Sequence, residues 1–139
     1  MRKMTADWYE FLEETSSSLI DGDPINFSTL KPSMIPEQSG VYLISVGEAE
    51  SEEPYYIGRT KNLRQRLYNN HLMGPLTNAR LKKYLINSGE CKDKSDAKNF
   101  IRKNCRVRWI FENDIRKRGA IEGYVTGMVF PKYGIYEEH

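Results

Sequence analysis

At 139 residues the chain is sized for one domain with its own core, and with 39% hydrophobic and 29% charged residues it has no apolar run near the roughly 18 residues of a membrane helix. Its isolated cysteines, Cys91 and Cys105, and its two histidines, His71 and His139, exclude a disulfide framework and a zinc-type or multi-histidine cluster, so a bound metal would be held by carboxylate and water. The net charge of +2 hides an asymmetry of −8 over residues 1–55, +12 over 56–118 and −2 over 119–139, and clustered charge of one sign costs self-repulsion unless a polyanion is the partner.

The N-terminus, "MRKMTADWYEFLEE", has no apolar signal-peptide core, and a soluble, cytoplasmic protein is expected. Trp8, Phe11 and Leu12 have the i, i+3, i+4 spacing of an amphipathic helix. It ends before "DGDP", and a proline-punctuated segment follows. "GVYLISV" and "YYIG" read as two strands joined by the acidic loop "GEAESEEP", most simply an antiparallel hairpin. Thr60 is the expected N-cap of a helix in "KNLRQRLYNNH", with Leu63 and Leu67 on its buried stripe. "LTNARLKKYLINSG" predicts a helix buried through Leu81 and Leu85, with Gly89 near its end, and "KSDAKNFIRKN" a shorter one.

"CRVRWIFEN" alternates basic and apolar residues, which predicts a third strand with Val107, Trp109 and Phe111 inward and a basic face of Arg106 and Arg108. A final helix runs from about Asp114 to Val129, with Ile121, Tyr124, Val125 and Met128 inside. The whole is a small α+β domain: a three-stranded, mainly antiparallel sheet flanked by helices, with an extra N-terminal helix. Residues 1–37 form an N-terminal helical and extended segment, and 38–139 the main domain.

Strand alternation puts Tyr42 and Ile44 on one face of the first strand and Tyr56 and Gly58 on one face of the second. Two phenols then stand side by side in the hairpin, and Gly58 leaves room for a substrate backbone. The tyrosines are otherwise ordinary half-buried strand residues. Arg66 borders the stripe of Leu63, where an arginine fork suits phosphate oxygens, whereas Arg64 projects outward. Arg59 supplies a second cation, and a cation beside a phenol lowers its pKa. Glu122 shares a helix side with Val125 and Val129, so its carboxylate faces inward or a rim. There it either pairs with an arginine or holds Mg²⁺ with water and phosphate oxygens. His71 is an auxiliary base or a helix cap. Arg64, Arg80, Lys82 and Lys83 join Gly58 as substrate-binding positions.

"GVY" at Gly40–Tyr42, "YIG" at Tyr56–Gly58, an arginine ten residues after the second tyrosine, and a glutamate in the last helix together resemble the GIY-YIG endonuclease domain, over about residues 38–136. The closing "EGYVTGMVFPKYG" is similar in layout to the last helix of the excision-repair nucleases of that family. The resemblance implies a metal-dependent phosphodiester hydrolase using Mg²⁺ or Mn²⁺ on nucleic acid, DNA in the first place, with a protein partner or homodimer open. It implies that Tyr42 activates water, Tyr56 orients water and phosphate, and Arg59 tunes the tyrosines. Arg66 would stabilise the pentavalent phosphate, Glu122 bind the metal, and His71 stand near a functional histidine of some members. Gly134 stands where family members commonly have asparagine, and a binding module without cleavage is the alternative.

Overall fold

The computed structural model describes the backbone of residues 5–72 and 80–134, and their side chains except those of 70–72. Helix α1 spans Ala6–Ile20, capped by Thr5, whose hydroxyl accepts from Trp8 N at 3.2 Å. Strand β1 is Ile25–Asn26, β2 is Gly40–Val46 and β3 is Glu53–Thr60. A π-helical segment covers Gln65–Leu72, and α2 (Arg80–Asn87) and α3 (Lys94–Asn104) follow it. Strand β4 is Cys105–Phe111 and α4 is Ile115–Val129. The start of the predicted helix around α2 lies outside the described residues. Among those described, no helix is long and apolar enough to cross a membrane.

All strand pairs are antiparallel, in the order β1-β4-β2-β3. The sheet therefore has four strands where three were expected; β1 is only two residues long, too short for alternation to announce it. Strand β2 is central, and its apolar run follows from burial on both faces. Tyr42 and Ile44 enter a core with Leu63, Leu67, Leu81, Leu85, Ile101 and Val107, whereas Val41 and Leu43 enter a second one with Leu19, Ile57, Ile121 and Val125. Helices α1 and α4 thus cover one face, and the π-helical segment, α2 and α3 the other. Each fully buried aliphatic contributes about 1.5–3 kcal/mol by leaving water, so the two-sided core fixes β2 tightly.

Several expectations change. Thr60 still belongs to β3. The cap of the next helical turn is Asn62, whose Oδ1 accepts from Gln65 N at 3.1 Å. Phe111 is 54% and Met128 53% exposed, because both stand at ends of their elements, past the packed layers. The basic face of β4 is neutralised. Arg108 pairs with Glu52, donating through Nη2 to its Oε1 at 3.0 Å and through Nε to Gly22 O at 2.7 Å, and Arg106 reaches Glu52 at 3.4 Å. The acidic loop before β3 thus returns over the strand whose charges it matches.

Strand β3 is an edge, which would leave unpaired backbone groups open to another chain. Residues after α4 cover it: Lys132 N donates to Pro54 O at 3.0 Å and Tyr133 N to Tyr55 O at 2.9 Å. Phe130, with φ 50°, turns the chain back at the end of α4. This return brings Tyr133 and Gly134 beside β3.

Candidate active site

The hairpin register pairs Tyr42 with Gly58 and Ile44 with Tyr56. The two tyrosines are therefore diagonal neighbours on one face, close enough for aromatic contact, with ring centroids 6.2 Å apart and planes at 34°. Their neighbour Gly58 does not open a path for substrate. A Cβ there would lie 2.5 Å from Tyr42 Cζ and 2.9 Å from its Cε1, so the space is already filled by the Tyr42 phenol. An aromatic ring laid over an edge-strand glycine is a recognised way to pin a sheet.

Tyr42 is 1% and Tyr56 8% exposed. Burial pushes both phenols above their ordinary pKa, and each also feels the Glu122 carboxylate, while Arg66 and Arg80 pull both downward. The net rise reverses the expectation that nearby arginines lower them, because desolvation is the larger effect. Tyr56 is the phenol that lines a cavity of about 260 Å³, together with Arg80, Tyr84, Glu122, Thr126 and Gly134. Arg80 faces the Tyr56 phenol and pulls its pKa down. Tyr42 lines neither this cavity nor the basic one beside it.

Arg59 and Glu122 come together from opposite layers. Residue 59 is odd-numbered on β3 and so points, with Ile57, toward α4, where its Nη1 donates to Glu122 Oε1 at 2.8 Å. Gly119, a turn earlier on α4, would put a Cβ 3.8 Å from the Arg59 guanidinium, which leaves the arginine room to lie along the helix. Burial pushes the Glu122 carboxyl above its usual range even though Arg59 pulls it down. The carboxyl stays raised although Arg59 and, more weakly, Arg80 both pull it down, so a further positive charge beside it is accommodated. Among the described residues no group of three or more acidic, histidine or cysteine side chains could hold a metal. A hydrated divalent cation on one carboxylate, with phosphate oxygens completing its shell, is the arrangement this donor set fits.

Arg66, half-buried beside the fully buried Leu63 and Leu67, stands near both phenols and also lines the basic cavity on the Arg59 side. Thus Tyr56, Arg59, Arg66, Arg80 and Glu122 converge around the β3 edge. Other predicted positions do not join them. Arg64 turns away: its Nε donates to Ile35 O at 2.7 Å and its guanidinium meets Glu37 at 3.5 Å, so it anchors the segment before β2. Lys82, on α2, is fully buried, not on a substrate surface, and burial together with Lys98 and Lys94 pushes its amine down to about 8. Lys83 is exposed and lines neither cavity. The side chain of His71 lies outside the described residues.

A second layer of tyrosines supports the site, and sequence reasoning missed it. Tyr84 lies 6.2 Å from Tyr56 and stacks on Tyr133 at 5.6 Å, with planes 3° apart. Tyr133 donates to Glu90 Oε1 at 2.5 Å, Tyr55 to Glu90 Oε2 at 2.5 Å, and Lys132 to Glu90 Oε1 at 3.0 Å. Although burial alone would raise it, these three donors hold the Glu90 carboxyl below its usual range. The one available signal was spacing: Tyr84 follows Leu81 by three residues, which places it beside the buried stripe. Gly134, with φ +99°, has Tyr56 Cε1 3.7 Å from where a Cβ would stand, so this position faces the cleft.

No family model matches the chain, and no curated protein matches it. Among solved structures it is similar to the magnesium-bound GIY-YIG N-terminal endonuclease domain of UvrC from Thermotoga maritima, with 23% identity over 76% of this chain and 92% of that one, and a TM-score of 0.46. A tyrosine-to-phenylalanine point mutant of that domain, bound to its catalytic divalent cation, gives 22% identity over 75% and 90%, with a TM-score of 0.46. The chain itself is α+β, with its two tripeptide strands side by side in one antiparallel sheet.

Proposed function

We propose that the chain is a divalent-metal-dependent endonuclease that hydrolyses phosphodiester bonds of nucleic acid, with DNA as the expected substrate. The observation that supports it most is the convergence at the β3 edge of a phenol, three arginines and one under-compensated carboxylate. A phosphate needs those groups, and a structural ion pair alone does not.

Tyr56 is the phenol placed to touch water, since it lines the cleft while Tyr42 is enclosed. With its pKa raised, Tyr56 acts as a protonated group that orients water and relays a proton at Oη. Tyr42 positions it from behind. Arg66 and Arg80 provide preorganised charge for the oxygens of the phosphate in the transition state. Glu122 would hold the cation, and Arg59 keeps that carboxylate in place and ionised. A bound divalent ion supplies Lewis-acid stabilisation of the phosphate and the leaving oxygen.

The second reading, a nucleic-acid-binding module that does not cut, is favoured by Gly134, which offers the cleft no amide. Conversion of supercoiled plasmid with Mg²⁺ or Mn²⁺, using wild type, Tyr56→Phe and Arg66→Ala, separates the two. Nicking by wild type, with each variant slowed at least tenfold, supports the nuclease. Retardation of the plasmid in a gel without any scission supports the binding module.

A further inference from the structure

A second cavity, of about 410 Å³, adjoins the cleft across the Arg59–Glu122 pair, and Arg59, Lys61, Gln65, Arg66, Ile115 and Arg118 are among the residues that line it. Four of these are cations, and among the described residues no carboxylate lines it. Positive charge gathered round a concavity repels itself and focuses the field outward, which favours an anion.

The walls are built rather than adventitious. Arg118 is 6% exposed and is fixed by Nη1 donating to Glu112 O at 3.0 Å and Asn113 O at 2.8 Å. The Asn62 cap sets the turn that presents Gln65 and Arg66. The volume is that of a small-ligand site and exceeds what a lone phosphate needs. Ile115, 65% exposed at the rim, offers apolar contact suited to a sugar.

We propose that this cavity takes a backbone phosphate with its sugar, from the strand being cut, adjacent to the scissile phosphate and on the side away from Tyr56. Lys61, Gln65 and Arg118 are its distinguishing residues, and Arg59 and Arg66 are shared with the cleavage site. The identity of the ligand as a nucleic-acid strand rests on the nuclease reading.

The test is fluorescence-anisotropy binding of a duplex oligonucleotide over a salt series without divalent metal, for wild type, Lys61→Ala and Gln65→Glu. Loss of one phosphate contact should reduce the slope of log K against log salt by about 0.9 in Lys61→Ala. Gln65→Glu, which sets a carboxylate in the cavity, should weaken binding several-fold. Neutralising one phosphate beside the cut as a methylphosphonate should weaken wild type but not further weaken Lys61→Ala. A wild type that cuts, with the same slope in Lys61→Ala and no such non-additivity, overturns the subsite and leaves the nuclease standing. Loss of slope in a protein that never cuts keeps a backbone-phosphate contact in this cavity but removes the nuclease, and with it the placement beside a scissile phosphate. Absence of nucleic-acid binding removes both.

Discussion

Gly58→Ala probes the contact that joins the fold to the site. The added Cβ would stand 2.5 Å from Tyr42 Cζ and closer still to its hydroxyl, and Tyr42, 1% exposed, has little space to retreat. Overpacking of this kind costs about 1–3 kcal/mol. With an unfolding entropy of roughly 2.1 cal/mol/K per residue, a chain of 139 residues has about 0.29 kcal/mol/K, so the Tm should fall by about 3–10 °C. Nuclease activity should fall further than stability, because the displaced ring is the one behind Tyr56. Tyr42→Phe in the same chain removes the nearest atom and should recover part of the Tm. Differential scanning calorimetry and plasmid nicking read the two effects. A Gly58→Ala protein with a Tm within a degree of wild type and full activity would refute the packing of Tyr42 over Gly58.

Arg108, above all, holds the Glu52 carboxyl below its usual range, against burial. Its contribution to stability is therefore full above the unfolded value of about 4.3 and is lost as pH falls through the lower folded value. Glu52→Gln should cost about 3 kcal/mol at neutral pH and should flatten the acid side of a denaturation–pH profile. Lys82, whose amine is pushed down to about 8, carries a burial cost below that pH which fades toward pH 10. Lys82→Met should accordingly raise the Tm at neutral pH by a few degrees, with the advantage shrinking as pH rises; a pH-independent difference would contradict this. At Gly134 a Cβ meets Tyr56 at ordinary contact distance, but φ is +99°. Gly134→Asn should fold with a loss of about 1 kcal/mol and raise the cleavage rate, as single-turnover kinetics would show.

The strand Gly40–Val46 was legible to the residue, because an apolar β-branched run between glycines has few other readings. So was the position of Arg66 beside its stripe. Other features depend on which elements meet, and that is not local. Lys82 looks like a surface lysine until α3 packs over it. Arg108 reads as part of a basic face, yet Glu52, distant in sequence, returns to pair with it. Block charges showed that positive charge was gathered but not how much of it was already matched. The Arg59–Glu122 pair illustrates the same point: both residues were picked out, but only the α4 packing showed that the carboxylate keeps its arginine and is still under-compensated. Tyr84 and Glu90 escaped notice because they hold Tyr56 from a second layer, for which sequence carries no motif, and Tyr133 was legible only as part of the layout of the closing segment.

Glu122 is the residue proposed to hold a divalent cation at a phosphate. The most direct measurement of that role is scission of supercoiled plasmid by wild type and Glu122→Gln across a Mg²⁺ titration, with binding followed in the same samples. Saturable, metal-dependent nicking by wild type is expected, with a Glu122→Gln protein that folds with an undiminished Tm, binds at least as tightly and does not cut. Cleavage by Glu122→Gln with the wild-type metal dependence would contradict that role.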